Sequence, residues 1–134
     1  MKPEKQTPTA LKRKCWKLMS EYIRRKHSDD NGDCRCFTCG SQKHWTEIQA
    51  GHGIGGRGNF ILFLEEVIKP QCAYCNVLLN GRYEVFAPKL IDLYTREQYE
   101  EWEREARKPF KRSKSDYVAL VYELQGYLEE LNNG

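Results

Sequence analysis

The chain has 134 residues, 40% hydrophobic and 31% charged, with a formal net charge of +3; this fits one modest globular domain and excludes a disordered or collagenous chain. No apolar run approaches the ~20 residues that span a bilayer, and the polar start Met-Lys-Pro-Glu-Lys-Gln lacks an apolar signal core, so a soluble, cytoplasmic protein with no membrane partner is expected. Six cysteines in a reducing compartment then point to metal ligation ahead of a disulfide framework.

The basic charge is uneven. Residues 1–27 hold nine Lys or Arg against two Glu, and residues 107–114 hold five and no acid. Such clusters can meet phosphates and release counterions; solvated helix faces have the same composition.

In chain order, residues 1–8 read as a flexible tail and 9–134 as a single domain. A helix is expected over 9–28, with Thr9 as its cap. Leu11, Cys15, Leu18, Met19, Tyr22 and Ile23 form its apolar stripe, and Lys12, Arg13, Lys17 and Arg24 lie on the other face. Cys15 falls on the stripe and reads as core. The cluster Asp29-Asp30-Asn31-Gly32-Asp33 ends the helix in a turn. A core over 34–88 follows, with a short strand between His44 and His52, a glycine-rich loop to Asn59, and a strand or loop over 60–68. A short helix opens at Cys72. Helices are expected again over 94–131. Thr95 and Gln98 suit a capping box, and Ser115 or Asp116 caps a last helix carrying Val118, Val121, Leu124, Leu128 and Leu131.

Cys36-x-x-Cys39 and Cys72-x-x-Cys75 carry the strongest local signal. Each tight turn presents two thiolates, and two turns supply the four sulfurs of a tetrahedral Zn²⁺. Cys34 is expected to stand aside. Rubredoxin-type iron uses similar knuckles, and the two pairs with no βαβ setting argue against a redox motif. Structural zinc contributes on the order of 10–16 kcal/mol, more than the net stability of most domains, so the apo chain is expected to be largely unfolded.

His52 lies between the knuckles, where an imidazole suits general-base work near neutral pH; a structural hydrogen bond is the commoner role for such a residue. His27 and His44 have no supporting context. Arg57 lies among glycines that let backbone approach a strand. With Lys12, Arg13, Lys17, Arg24, Lys111 and Arg112 it makes up the expected nucleic-acid footprint. Trp16, Trp45, Tyr74, Tyr83 and Trp102 could stack on unpaired bases or fill the core.

Ala50-Gly51-His52, Arg57-Gly58-Asn59 and Gln71-Cys72-Ala73-Tyr74-Cys75-Asn76 resemble the HNH pattern, a histidine between two zinc knuckles, in the form found in the phage NinG/Rap recombination proteins. The resemblance runs over roughly residues 11–131. It implies an α+β fold, with a zinc-bound ββα-metal core flanked by N- and C-terminal helices. It also implies a structure-selective endonuclease for Holliday junctions or D-loops. His52 is then the implied general base and Asn76 the implied metal-side residue for Mg²⁺ or Mn²⁺. The middle position, usually Asn, is Val67, for which Asn59, Glu65 or Glu66 would have to substitute. Gly51 stands where many relatives carry a metal-binding Asp. Branched DNA, recombination proteins and a second copy of the chain are the implied partners. The rival is a non-catalytic zinc module that binds DNA.

Overall fold

The computed structural model describes residues 1–56 and 58–133. Two long helices form its spine. Helix α1 (Pro8–Lys26) buries Leu11, Cys15, Met19 and Ile23, and α5 (Lys114–Asn133) buries Tyr117, Val121, Leu124 and Leu128. They run side by side in the same direction. The Cys15 thiol donates to the Tyr117 carbonyl at 3.5 Å, the Tyr22 and Tyr127 rings lie 5.2 Å apart, and Arg25 donates to Asn132.

Both helix starts lie earlier than the sequence suggests. Thr7, not Thr9, caps α1 by accepting from the Ala10 amide at 3.2 Å, with Pro8 in the first helical position, where its missing N–H goes unfelt. Ser113, rather than Ser115 or Asp116, caps α5. Its hydroxyl accepts from the Asp116 amide while Asp116 accepts from the Ser113 amide at 2.8 Å, a reciprocal capping box. Where a tail was expected, a 3₁₀ turn over Pro3–Lys5 buries Pro3, and Glu4 accepts from Tyr122 on α5 at 2.7 Å.

The remaining elements form two small antiparallel sheets. Strand β1 (Asp33–Arg35) pairs with β2 (Gln42–His44) around Cys34↔Lys43. Strand β3 (Gln49–His52) pairs with β4 (Ile68–Gln71), from Gln49↔Gln71 to His52↔Ile68. The strand expected between His44 and His52 is confined to the last four of those residues, Gln49–His52. Between β3 and β4 the chain is helical rather than extended: α2 (Asn59–Leu62) is followed by a 3₁₀ turn over Glu65–Val67. After β4 comes a π-helical turn, Tyr74–Leu78.

Helix α3 (Tyr83–Tyr94) contains Pro88, read from sequence as the end of the core. The ring forgoes one amide bond in the second turn, and Phe86 and Leu90 still bury fully. Thr95 alone joins α3 to α4 (Arg96–Ala106), and its hydroxyl accepts from the Gln98 amide as expected. The result is a mixed α+β domain, and no helix among the described residues is long and apolar enough to cross a membrane.

Candidate metal cluster and histidine trough

The knuckles are set by the sheets. Cys36 and Cys39 lie in the turn joining β1 to β2, where Gly40 takes φ 78°, a conformation that glycine adopts without strain. Cys72 and Cys75 follow β4 at the entry to the π turn. The sheets are tied together by the Phe37 amide, which donates to the Pro70 carbonyl at 2.8 Å. The fully buried Gln71 amide strengthens the tie by donating to Thr38 Oγ1 and to the Gly81 carbonyl.

The four cysteine sulfurs lie within 4.8 Å of one another, with Cys39 Sγ 3.7 Å from Cys72 Sγ. A tetrahedral ion with bonds of ~2.3 Å needs sulfurs ~3.8 Å apart, so the cluster fits zinc. Four thiolates so close cannot all ionise without a cation. Burial pushes Cys36 up, but the Thr38 hydroxyl and the Cys72, Cys39 and Thr38 amides outweigh it and bring the thiol down to about 6. Burial pushes Cys72 up to about 11. Arg82 donates to Cys75 Sγ at 3.5 Å, placing a guanidinium against a cluster that would carry excess negative charge when metal-bound. Cys34 is buried beside the cluster but is not one of the four, as expected.

His52 ends β3 and faces α1. Its ring stacks on Trp16, with centroids 4.8 Å apart and planes at 24°, and Nε2 lies 3.1 Å from the Leu62 carbonyl. That carbonyl can only accept, so Nε2 carries the proton and Nδ1 keeps its lone pair. Burial holds the His52 pKa below its usual range, with the Leu62 hydrogen bond opposing only in part. The ring is therefore neutral at pH 7.

Two open hollows meet at His52 and Leu62. One, of about 600 Å³, is lined by Trp16, Ser20, Arg24, Gln49 and Asn76 among others. The second, of about 310 Å³, is lined by Lys12, Asn59 and Tyr83 among others. Lys12, Trp16, Ser20 and Arg24 recur every fourth residue, so one stripe of α1 runs along both hollows with His52 midway. His52 and Asn76 thus share a trough. Asn76 Nδ2 donates to Gln49 Oε1 at 2.9 Å, which leaves its Oδ1 as an acceptor.

The other residues singled out from sequence scatter. Arg13, Lys17 and Lys111 are exposed. Lys12 donates to Asn59 Oδ1 at 2.8 Å. Arg24 donates to the Trp45 carbonyl at 2.9 Å and covers the Trp45 ring at 5.5 Å. Arg112 lies between the Phe63 and Phe110 rings and bonds the Asn59 carbonyl, bracing the chain internally. Arg57 lies outside the described residues. Asn59 and Glu65 do not substitute for the missing middle Asn. Asn59 bonds Lys12 and the Phe110 carbonyl, Glu65 pairs with Lys26 at 3.2 Å, and the Leu62 backbone carbonyl is what orients His52. Val67 is fully buried, and its carbonyl accepts from the Gly53 amide at 2.8 Å. At Gly51 a Cβ would lie 2.0 Å from Gln71 Oε1 and 3.1 Å from Asn76 Oδ1, so the Gln71 amide fills the space that a side chain at 51 would need.

Sequence reasoning missed Leu62, Ser20 and Gln49. Only the four-residue recurrence on α1 could have pointed to Ser20; a backbone carbonyl carries no residue-type signal.

Fold and cluster together define a small mixed α+β domain carrying a four-cysteine cluster that could hold a metal ion. The chain belongs to the bacteriophage lambda NinG protein family, a phage recombination family, whose model matches residues 2–133. No curated protein and no solved structure matches it.

Proposed function

We propose that the chain is a ββα-metal (HNH-type) endonuclease that cuts branched DNA, with His52 as general base. The observation that carries the reading is the His52 setting. A neutral imidazole is locked by Trp16 and the Leu62 carbonyl in a trough shared with Asn76 and Arg24. The local order supports it too: paired β3 and β4, then a helical turn that opens with a zinc knuckle and carries Asn76.

Nδ1 of His52 accepts a proton from a water as that water attacks a phosphodiester phosphorus. Lys12, Arg24, Arg13 and Lys17 on α1 attract the sugar–phosphate backbone to the trough. Asn76 Oδ1 would hold Mg²⁺ or Mn²⁺, which when bound supplies positive charge to the phosphoryl oxygens and the departing 3′ oxygen. The residues lining the 600 Å³ hollow include no carboxylate, so such an ion depends on the substrate's own phosphate oxygens. Zn²⁺ at Cys36, Cys39, Cys72 and Cys75 would hold the two sheets and the π turn in place. Because resolving a junction needs two cuts, a homodimer fits the activity, and recombination proteins are the natural partners.

The lack of a carboxylate also favours a second reading, a DNA-binding accessory module without chemistry. Labelled four-way junction, nicked duplex and linear duplex, each incubated with zinc-loaded protein and Mg²⁺ or Mn²⁺, separate the two. Cleavage concentrated at the branch supports the nuclease. Tight, salt-sensitive binding without product in either metal supports the module and overturns the nuclease.

A further inference from the structure

Four exposed hydrophobic side chains flank Asn76 in the sequence. Tyr74 is 56% exposed, Val77 58%, Leu78 70% and Tyr83 41%. All four lie within ten residues that straddle Asn76, and Tyr83 also lines the second hollow at His52. The first three are set out by the π-helical turn, a local distortion that often accompanies function. The stretch 70–81 contains no Asp, Glu, Lys or Arg in a chain that is 31% charged, so this tip offers a phosphate no side-chain charge. It is anchored behind by Cys75 and by the Asn76–Gln49 hydrogen bond, which makes it a firm projection.

We infer that Tyr74, Val77 and Leu78 form an apolar wedge that takes the faces of unstacked nucleobases where a duplex opens at a branch. The inference deepens the proposed function and rests on its placement of DNA in the trough. Lys12 and Arg24 of α1 hold the backbone along the two hollows at His52, and the wedge, carried on the same π-helical turn as Asn76, meets the bases. Inside a continuous duplex the base faces are covered; at a branch or nick they are available, so the wedge distinguishes branched from linear DNA without reading sequence. Apolar side chains inserted at base steps are an established means of holding unstacked DNA, and stacking on a protein ring contributes ~1–3 kcal/mol per base, which corresponds to roughly 5- to 150-fold in affinity.

The test uses the zinc-loaded full chain without added Mg²⁺, a four-way junction with 2-aminopurine at the branch, and a linear duplex of the same sequence. Wild type is expected to raise 2-aminopurine emission several-fold. Tyr74→Ser combined with Leu78→Ser, with zinc content and circular dichroism unchanged, should abolish that rise and weaken junction binding at least fivefold while leaving duplex binding unaltered. Equal binding of junction by wild type and variant, or equal losses on junction and duplex, overturns the wedge. So does a shift from dimer to monomer in sedimentation without a change in 2-aminopurine emission, which would assign the patch to a second copy of the chain. If the wedge behaves as expected but wild type never cuts, the nuclease reading fails alone; if cleavage occurs but the variant retains its junction preference, the wedge fails alone.

Discussion

Removing zinc is expected to dissolve one lobe of the molecule and spare the other. The buried residues fall into two groups. The four ligands share their cluster with Cys34 and Ile48, against Trp45 and Leu79. The main core, drawn from α1, β3, β4, α3, α4, α5 and the segment between β3 and β4, contains no ligand. In the cysteine lobe one fully buried large aliphatic side chain is worth roughly 1.5–3 kcal/mol, and a lone two-stranded hairpin is marginal in water. A zinc ion held by the four thiolates would contribute on the order of 10–16 kcal/mol, so that lobe would stand on it. The main core holds Leu11, Ile23, Val67, Ile68, Phe86, Leu90 and Val121 at full burial, each worth about 1.5–3 kcal/mol by the same scale. Stripping the protein with a chelator should therefore leave most of the helical signal of α1, α3, α4 and α5. Amide protection should be lost across β1, β2 and the π turn, and one equivalent of Zn²⁺ should restore it. Hydrogen exchange read by mass spectrometry, with circular dichroism in parallel, resolves the two lobes. Collapse of the whole helical signal, or protection retained at Cys36 and Cys75 after stripping, refutes the division. The expectation of a globally unfolded apo chain, drawn from ligand spacing alone, is revised for this reason: spacing does not reveal that the larger core lies elsewhere.

Three further outcomes follow. Gly51→Ala should lower stability by about 1–3 kcal/mol, because its Cβ would meet Gln71 Oε1 at 2.0 Å; Gly126→Ala, in open space within α5, should raise it by about 0.5–1 kcal/mol. Thermal melts would show opposite shifts, and a common sign contradicts the packing argument. Trp16→Ala should slow junction cleavage at least about tenfold by releasing the His52 ring from its stack; an unchanged rate in a folded variant removes Trp16 from the site. Because burial lowers the His52 pKa, the base-active neutral form persists below pH 6.5. The cleavage rate should be flat from pH 7 to 8 and fall tenfold per unit only below that lowered pKa. A rate still climbing between pH 7 and 8 rules out His52 as the base.

The parts of the fold legible in the sequence are those written in local period and chemistry. The stripe Leu11–Cys15–Met19–Ile23 and the Thr95 cap gave α1 and α4, and the paired C-x2-C spacing gave the cysteine cluster. Helix α3 was hidden because Pro88 looks like a breaker, whereas the helix runs through it at the loss of one amide bond, with Phe86 and Leu90 fully buried on either side. The segment 60–68 was ambiguous because a short apolar run suits strand and helix alike. His52 and Asn76 were legible as candidates. Their surroundings were not: the group that fixes the His52 tautomer is a carbonyl ten residues away, and the space at Gly51 is filled by an amide from the neighbouring strand.

The neutral ring in the trough either performs chemistry or only braces β3 against α1. The most direct measurement is single-turnover cleavage of an end-labelled four-way junction by zinc-loaded wild type and His52→Ala, matched in junction affinity and supplied with the same Mg²⁺. Wild type is expected to cut near the branch, and the variant to lose at least about a hundredfold in rate with undiminished binding. Equal product from both proteins rules out His52 as the base.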